Sequence, residues 1–357
     1  MSVAGCMAGR RKTLPILDNV RITFGINKMT VASYDGEALI SKRMTGVYVE
    51  DAEDFCIDPK DVLGFIGSIP DEELGIEVNN GIATIVHSNG QLSIPVVGVS
   101  DFPEPVRSDE KNIAVWESGV LSDMLIQAKG FIKEDPLRPV MSCANLYCIN
   151  GMCGVVGSDG ASMFVREWNE RKDASDFSIL ISNKFIKDIV AMISRSVICT
   201  IYEGSSYIRI VTDDSEFVAI KIDGRYPNFK AVIPNSWNIK VTVDKKTLVS
   251  AVRRVVMASE KTRPLIKIHI VPNKMTIEAQ DIDFNKSAKE TIPCDSEDVM
   301  PIGLNGTAVL NVLDALSSPK AVLKLVCYDM ASVWENDAAE GGSTTTRILL
   351  MPMILNN

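Results

Sequence analysis

Three stretches of this chain share one phrase: LPILDNVRITFGINKMTVASYDGEALISKRM (14–44), RPVMSCANLYCINGMCGVVGSDGASMFVRE (138–167) and RPLIKIHIVPNKMTIEAQDIDFNKSAKETI (263–292). Each opens on a proline in an apolar stretch that reads as a strand. It then turns at Gly or Asn, runs a second strand and reaches an acidic or Gly-containing turn. The prolines, Pro15, Pro139 and Pro264, fall 124 and 125 residues apart. That period is far too long for a solenoid built on repeats of about 20–50 residues. It predicts three homologous domains, 1–113, 114–240 and 241–357.

The second half of each repeat agrees. DPKDVLGFIGSI (58–69), SNKFIKDIVAMIS (182–194) and NGTAVLNVLDAL (305–316) each place a first-turn signal ahead of apolar residues at helical spacing. Strands rich in Ile, Val and Tyr follow. Two of these runs close on related phrases, VSDFPEPV and IDGRYPNFKAVIP, with Pro103 and Pro227 again 124 residues apart. Each domain therefore reads as two copies of helix plus strands, an α+β architecture with antiparallel sheets.

With 357 residues, 46% of them hydrophobic and 23% charged, the chain has material for two or three cores. No apolar run approaches the roughly 18 residues of a membrane span, and MSVAGCMAG lacks the basic start of a secretion signal. The eight cysteines have no zinc-ligand spacing and no histidine near the Cys143, Cys148, Cys153 series, so they read as free thiols in a reducing cytosol, with no metal. A net charge of −9 argues against a globally basic nucleic-acid binder, but charge can be distributed unevenly.

Two helices show such a distribution. In 244–261 the residues Leu248, Ala251, Val252, Val255 and Val256 form one arc, with Lys246, Arg253, Arg254 and Lys261 on the other side. In 182–196, Lys184, Lys187 and Arg195 lie opposite the apolar stripe, and the 117–133 segment adds Lys129 and Lys133. One such helix alone is a solvated surface. Recurrence in an acidic chain points to a shared positive face that tracks phosphate without reading bases. The chain then ends on LLMPMILNN, mostly apolar and uncharged, which reads as a strand at a sheet edge because Pro352 lacks a ladder donor.

The motifs KTLPIL, SDGASMFV, DGRYPNFKAVIP and LLMPM, in this order and spacing, make the chain resemble bacterial replicative sliding clamps, the β subunit of DNA polymerase III. The resemblance runs from about Arg10 to the end. It implies a head-to-tail homodimer closed around duplex DNA, cytoplasmic and nucleoid-associated, with no catalysis, cofactor or membrane contact. It also implies a hydrophobic cleft for linear peptides from the polymerase catalytic subunit, the clamp loader and repair polymerases. The matching cleft positions are Met141, Ser158, Gly160, Met163, Pro227, Val232, Asn305, Leu349, Met351, Pro352 and Met353. Methionine suits such a site because its flexible, polarizable side chain adapts to several ligands, although each alone reads equally as core. The DNA-facing positions carried over are Arg11, Lys12, Lys129, Lys184, Lys187, Arg195, Lys246, Arg253, Arg254 and Lys320. Ring closure falls to Leu92 and Ile94 against Val256 and Met257.

Three departures stand out. About twelve residues precede TLPIL, where the family has a strand and most of a helix, so the expectation is either a misplaced start or a first domain that lacks an edge strand and part of a helix lining the ring. Ala161-Ser162 replaces the family's His-Arg after the Asp-Gly turn. Ile354 replaces a basic residue after MPM. The short first domain leaves room for a second reading, a clamp-derived peptide-binding module that does not encircle DNA. An enzyme using Asp159 or the cysteines has little support, since His87 and His269 both fall in strands without a nucleophile-and-base neighbourhood.

Overall fold

A computed structural model gives the fold and describes residues 14–50, 52–105, 107, 109–169, 176–337 and 344–355. In the first repeat the elements are β1 (Val20–Gly25), β2 (Lys28–Tyr34), β3 (Ala38–Thr45), β4 (Phe55–Ile57), α1 (Pro59–Ser68), β5 (Gly75–Asn79), β6 (Ile82–His87) and β7 (Gly90–Pro95). The second repeat opens with β8 (Lys111–Glu117) and α2 (Ser118–Lys129). It continues with β9 (Cys143–Ile149), β10 (Met152–Ser158), β11 (Ser162–Asn169), β12 (Phe177–Ser182), α3 (Ile186–Ile193), β13 (Ile198–Glu203), β14 (Tyr207–Val211) and β15 (Ser215–Ile220). The third has β16 (Ile239–Asp244), α4 (Lys245–Val256), β17 (Leu265–Val271), β18 (Lys274–Asp281) and β19 (Lys286–Pro293). It ends with β20 (Met300–Asn305), α5 (Gly306–Ala315), β21 (Lys320–Leu325), β22 (Ser332–Asn336) and β23 (Thr344–Leu350).

The same half-sheet recurs. β4-β1-β2-β3, β12-β9-β10-β11 and β20-β17-β18-β19 are antiparallel four-strand arrays, each ending on the strand that follows the acidic turn. The second type is β8-β13-β14-β15 and β16-β21-β22-β23, with β5-β6-β7 as a three-strand version among the described residues. Two joints fuse the types into eight-stranded sheets: β3 with β15, and β11 with β23. Because these joints cross repeat boundaries, the chain forms two compact units, Met1–Asp123 with Phe185–Lys221, and Met124–Lys184 with Ile222–Asn357.

Strand-to-helix junctions follow from single side chains. Asp58, Asp244 and Asn305 accept the amides of Lys60, Thr247 and Ala308 at 2.8–3.0 Å, so each caps the helix it precedes. In the first unit Phe185, Ile186, Ile189 and Ile193 are buried with Phe217, whose ring lies 5.7 Å from that of Phe185. In the second, α4 buries Leu248, Ala251, Val252 and Val255 with Ile266, Ile268, Met275 and Ile277 of β17 and β18 also in the core. Val256 meets α5 so closely that a Cβ at Gly306 would lie 2.4 Å from its Cγ2, which is why that residue is glycine.

Several expectations need correction. Pro15 and Pro139 open short 3-10 turns, Pro15–Asp18 and Pro139–Ser142, and Pro264 precedes β17, so none sits inside a strand. A fixed φ and a missing N–H suit the approach to a strand better than its ladder. Ser182 does not cap a helix: it ends β12, a 3-10 turn at Asn183–Phe185 follows, and α3 starts without a side-chain cap. Helix α2 stops at Lys129 and α4 at Val256, leaving Lys133 and Lys261 outside them. The last strand is no sheet edge, since β23 lies between β11 and β22 and the chain leaves the sheet before Pro352. Cys148 and Cys153 are not free thiols: they face each other across the β9–β10 hairpin and form a disulfide.

Candidate peptide cleft and charged helices

The apolar site at the chain end is built from the β10–β11 turn, the β23 exit and the Pro227 segment. Met163 and Leu349 are directly opposite in the β11–β23 register and are only 5% and 4% exposed. They form a floor with Cys143, Tyr147, Val156, Tyr226 and Val333, while Val140, Phe229, Ile233 and Ala331 pack around it. Met351, 48% exposed, stands at the rim with Met141, Pro352 and Met353 half-buried, and Val232 is 59% exposed beside exposed Pro227. Backbone bonds fix this exit: the Met351 amide donates to Ala161 O and the Met353 amide to Gly303 O, both at 2.8 Å. Met163 and Leu349 are thus floor rather than exposed contacts, and Asn305 is committed to capping α5.

The turn itself is over-determined. Asp159 Oδ1 accepts from the amides of Ala161 (3.0 Å) and Ser162 (2.7 Å), Oδ2 pairs with Lys133 Nζ at 2.7 Å, and Gly160 takes φ +87°. Burial pushes the Asp159 carboxyl up, but Lys133 and the two amides outweigh it and hold the group below its ordinary range. Ser158 Oγ donates to Ser162 O at 2.7 Å and accepts from the Gly160 amide. Beyond the floor, Tyr147 donates to buried Glu167 at 2.7 Å and Lys230 Nζ lies 3.2 Å from the same carboxylate, pinning the Pro227 segment to the sheet. The floor residues missed in the sequence carried one legible signal where they lie on strands. Cys143, Val156 and Val333 lie on β9, β10 and β22 on the face that bears Met163, whereas Tyr226 lies in the loop before Pro227, where no strand period reveals it.

The basic residues divide. On α4, Lys246 and Arg253 are exposed two turns apart, opposite the core stripe. On α3, Lys187 is exposed, and exposed Arg195 follows the helix. Lys320 is exposed opposite Asp244. Other candidates are engaged elsewhere. Arg254 is clamped by Glu290 of β19, Nη2 to Oε2 at 2.7 Å, and Lys129 Nζ donates to Asn183 O and Oδ1 at 3.0 and 2.8 Å. Lys184 is half-buried in the 3-10 turn, while Arg11 and Lys12 lie outside the described residues. The outward stripes of α2 (Gly119, Asp123, Ile126) and α5 (Thr307, Asn311, Asp314) carry no base, so fewer helices present exposed cations than the sequence suggests.

Of the expected closure residues, Leu92 is half-buried and Ile94 buried on β7. Val256 is turned toward Gly306 inside its own repeat, whereas Met257 is 80% exposed. Burial pushes the thiols of Cys56 and Cys143 up to about 11 and about 12, so neither is a thiolate near neutrality. His87 lies 3.5 Å from Glu72 and edge-on to Phe65. Among the described residues no cluster of His, Cys, Asp or Glu could hold a metal, and no helix is long and apolar enough to cross a membrane.

Two models of the DNA polymerase III beta subunit match the sequence, the N-terminal domain over residues 2–106 and the C-terminal domain over 230–346. The beta sliding clamp of Pseudomonas putida is 20% identical, covering 99% of this chain and 96% of its own, and that of Escherichia coli is 22% identical with the same coverage. Among solved structures, the DnaN sliding clamp of Pseudomonas aeruginosa bound to griselimycin superposes with a TM-score of 0.93 at 17% identity, over 99% of this chain and 96% of that one. The beta subunit from Thermotoga maritima gives 0.90 at 17%, with the same coverage. With the repeated half-sheets, full-length relatives and both terminal domain models in agreement, the chain belongs to the DNA polymerase III beta subunit, or beta sliding clamp, family and is a non-catalytic processivity subunit.

Proposed function

We propose that two copies of the chain close head to tail into a ring of six domains around duplex DNA, bounded in each copy at 1–113, 114–240 and 241–357. The observation that carries this is the pair of joints β3–β15 and β11–β23. Among the described residues, the corresponding strand of the third repeat, β19, is at a sheet edge, and β7 of the first repeat is at another. Pairing β19 of one copy with β7 of the next is the same joint made between molecules, and it closes because the repeat is cyclic. Registering Thr212–Ser215 on His87–Gly90, the two turns that lead into β15 and β7, sets Lys286 opposite Ile94 and Ala288 opposite Leu92. Met257, exposed at the end of α4, belongs to the same closure.

Within such a ring Lys187, Arg195, Lys246, Arg253 and Lys320 contact phosphate without reading sequence, and topology rather than affinity holds the subunit on DNA. The polymerase catalytic subunit, the clamp loader and repair polymerases dock apolar peptides over the Met163–Leu349 floor, gripped by Met141, Val232, Met351 and Met353. The setting is the bacterial cytoplasm, at the nucleoid. The test is retention on nicked circular plasmid after loading by the cognate loader: the chain stays bound, and one cut in the plasmid releases it. Release from the circle at the same rate as from linear DNA would refute enclosure. A second reading, a peptide-binding module that does not encircle DNA, is favoured by the sheet β5-β6-β7, three-stranded among the described residues, and by the few exposed cations on their helices. It predicts peptide binding without plasmid retention.

A further inference from the structure

Three hairpin turns occupy equivalent places in the repeats, each organised by an aspartate. Asp35 Oδ1 accepts from Glu37 and Ala38, Asp159 Oδ1 from Ala161 and Ser162, and Asp281 Oδ1 from Phe284 at 3.2 Å. In the first two the chain returns within three residues, Asp35 donating to Ala38 O and Asp159 to Ser162 O. In the third, Asp281 is opposite Lys286, so the turn is two residues longer. The longer tip raises Ile282 and Phe284 into solvent, 80% and 71% exposed, with the Lys286 ammonium 5.3 Å from the phenyl centroid. A hairpin tip with two large apolar side chains in water wants a covering surface.

We infer that Ile282 and Phe284 form a hydrophobic latch onto a second copy of this chain, an inference that rests on the ring reading above. At both internal joints the aspartate turn lies beside the end of the strand across the joint. Ile220 N donates to Glu37 O at 2.9 Å, and Met351 N to Ala161 O at 2.8 Å. The corresponding position at the joint between copies is Pro95, which has no N–H and cannot make that bond. Around Pro95 the surface is apolar instead: Ile82, its partner in the β6–β7 register, is 47% exposed and Val97 51%. The longer turn of one copy thus replaces a missing backbone hydrogen bond with contact between Ile282 and Phe284 and the Ile82–Pro95–Val97 patch of the other. Two apolar surfaces, each left exposed among the described residues, are used together.

The experiment uses the full chain. Sedimentation equilibrium compares wild type with Ile282→Ser/Phe284→Ser and with Val97→Ser, and a photoreactive benzoylphenylalanine at position 284 reports the neighbour. Both variants should weaken dimerisation by at least about tenfold while leaving the Tm of the dissociated single chain unchanged, because the substituted groups are exposed there. Combined, they should cost less than the sum of their separate effects. The photoproduct should join position 284 to the segment 82–97 of a second copy. A wild-type dimer indifferent to both variants, or a crosslink to any other segment, overturns the latch and leaves the ring reading intact. A wild-type chain that remains monomeric removes the ring reading, and the latch with it.

Discussion

Replacing Met351 by alanine trims a half-exposed thioether from the cleft rim, whereas replacing Met163 hollows its floor. Met351→Ala should therefore weaken binding of a fluorescein-labelled peptide from the polymerase catalytic subunit by about tenfold with Tm unchanged. Met163→Ala should destabilise the chain by about 2–5 kcal/mol in urea unfolding, the usual range for a buried methionine. If both lost peptide affinity with equal stability, the floor and rim assignments would be wrong. Asp159 gives a pH-dependent counterpart. Its carboxyl is held below its ordinary value of 3.8 in the folded chain, so its contribution is present above that pH and disappears as pH falls through the lower folded value. Asp159→Asn should be less stable than wild type at neutrality, and the gap should close as the pH is taken below 3.8. A gap that widened in acid would assign the turn's stability to something else.

At the scale of elements, the capped helices were legible because one side chain decides each boundary. Asp58-Pro59 and Asn305 supply an acceptor where a strand stops and amides are unpaired; Asp244 does the same for α4, whose helix the sequence showed only through its apolar arc. Ser182-Asn183 looks similar but was misread, since the β12 ladder takes Ser182 and a tighter turn intervenes. The C-terminal strand was misread for a comparable reason. Pro352 bars a ladder only at its own position, and β23 ends two residues earlier. The apolar chain end was legible, but which of its residues stayed exposed depended on the cross-strand pairing of Met163 with Leu349, which local pattern does not encode. Asn305→Ala tests one reassignment: it should cost about 1 kcal/mol of stability as a lost cap and leave peptide affinity unchanged. The α4 helix carries another. Lys246→Ala and Arg253→Ala should each reduce the salt dependence of DNA binding by about one unit of slope, while Arg254→Ala should leave it unaltered because Glu290 already holds that guanidinium. Equal slopes for all three would place Arg254 with the phosphate contacts.

For the whole molecule, the physical question is whether a joint seen twice within the chain is made a third time between chains. Adjacent antiparallel strands bring opposite Cα atoms to about 4.5–5.5 Å, within disulfide reach. The repeat register sets Leu92 of one copy against Ala288 of the next, so Leu92→Cys with Ala288→Cys should oxidise to a covalent dimer carrying two bridges. A linear head-to-tail arrangement would instead give a ladder of higher oligomers on non-reducing gels, because each end remains free to couple. Closure demands that the series stop at two. The bridged ring should then refuse a circular plasmid when oxidised first, and stay on it through high salt when oxidised after loading, since no dissociation of charge contacts opens a covalent loop. Shifting one cysteine to Lys289 moves it to the opposite face of β19 and should abolish bridging. Equal bridging from positions 288 and 289 would contradict the register, and with it the claim that one joint is used three times.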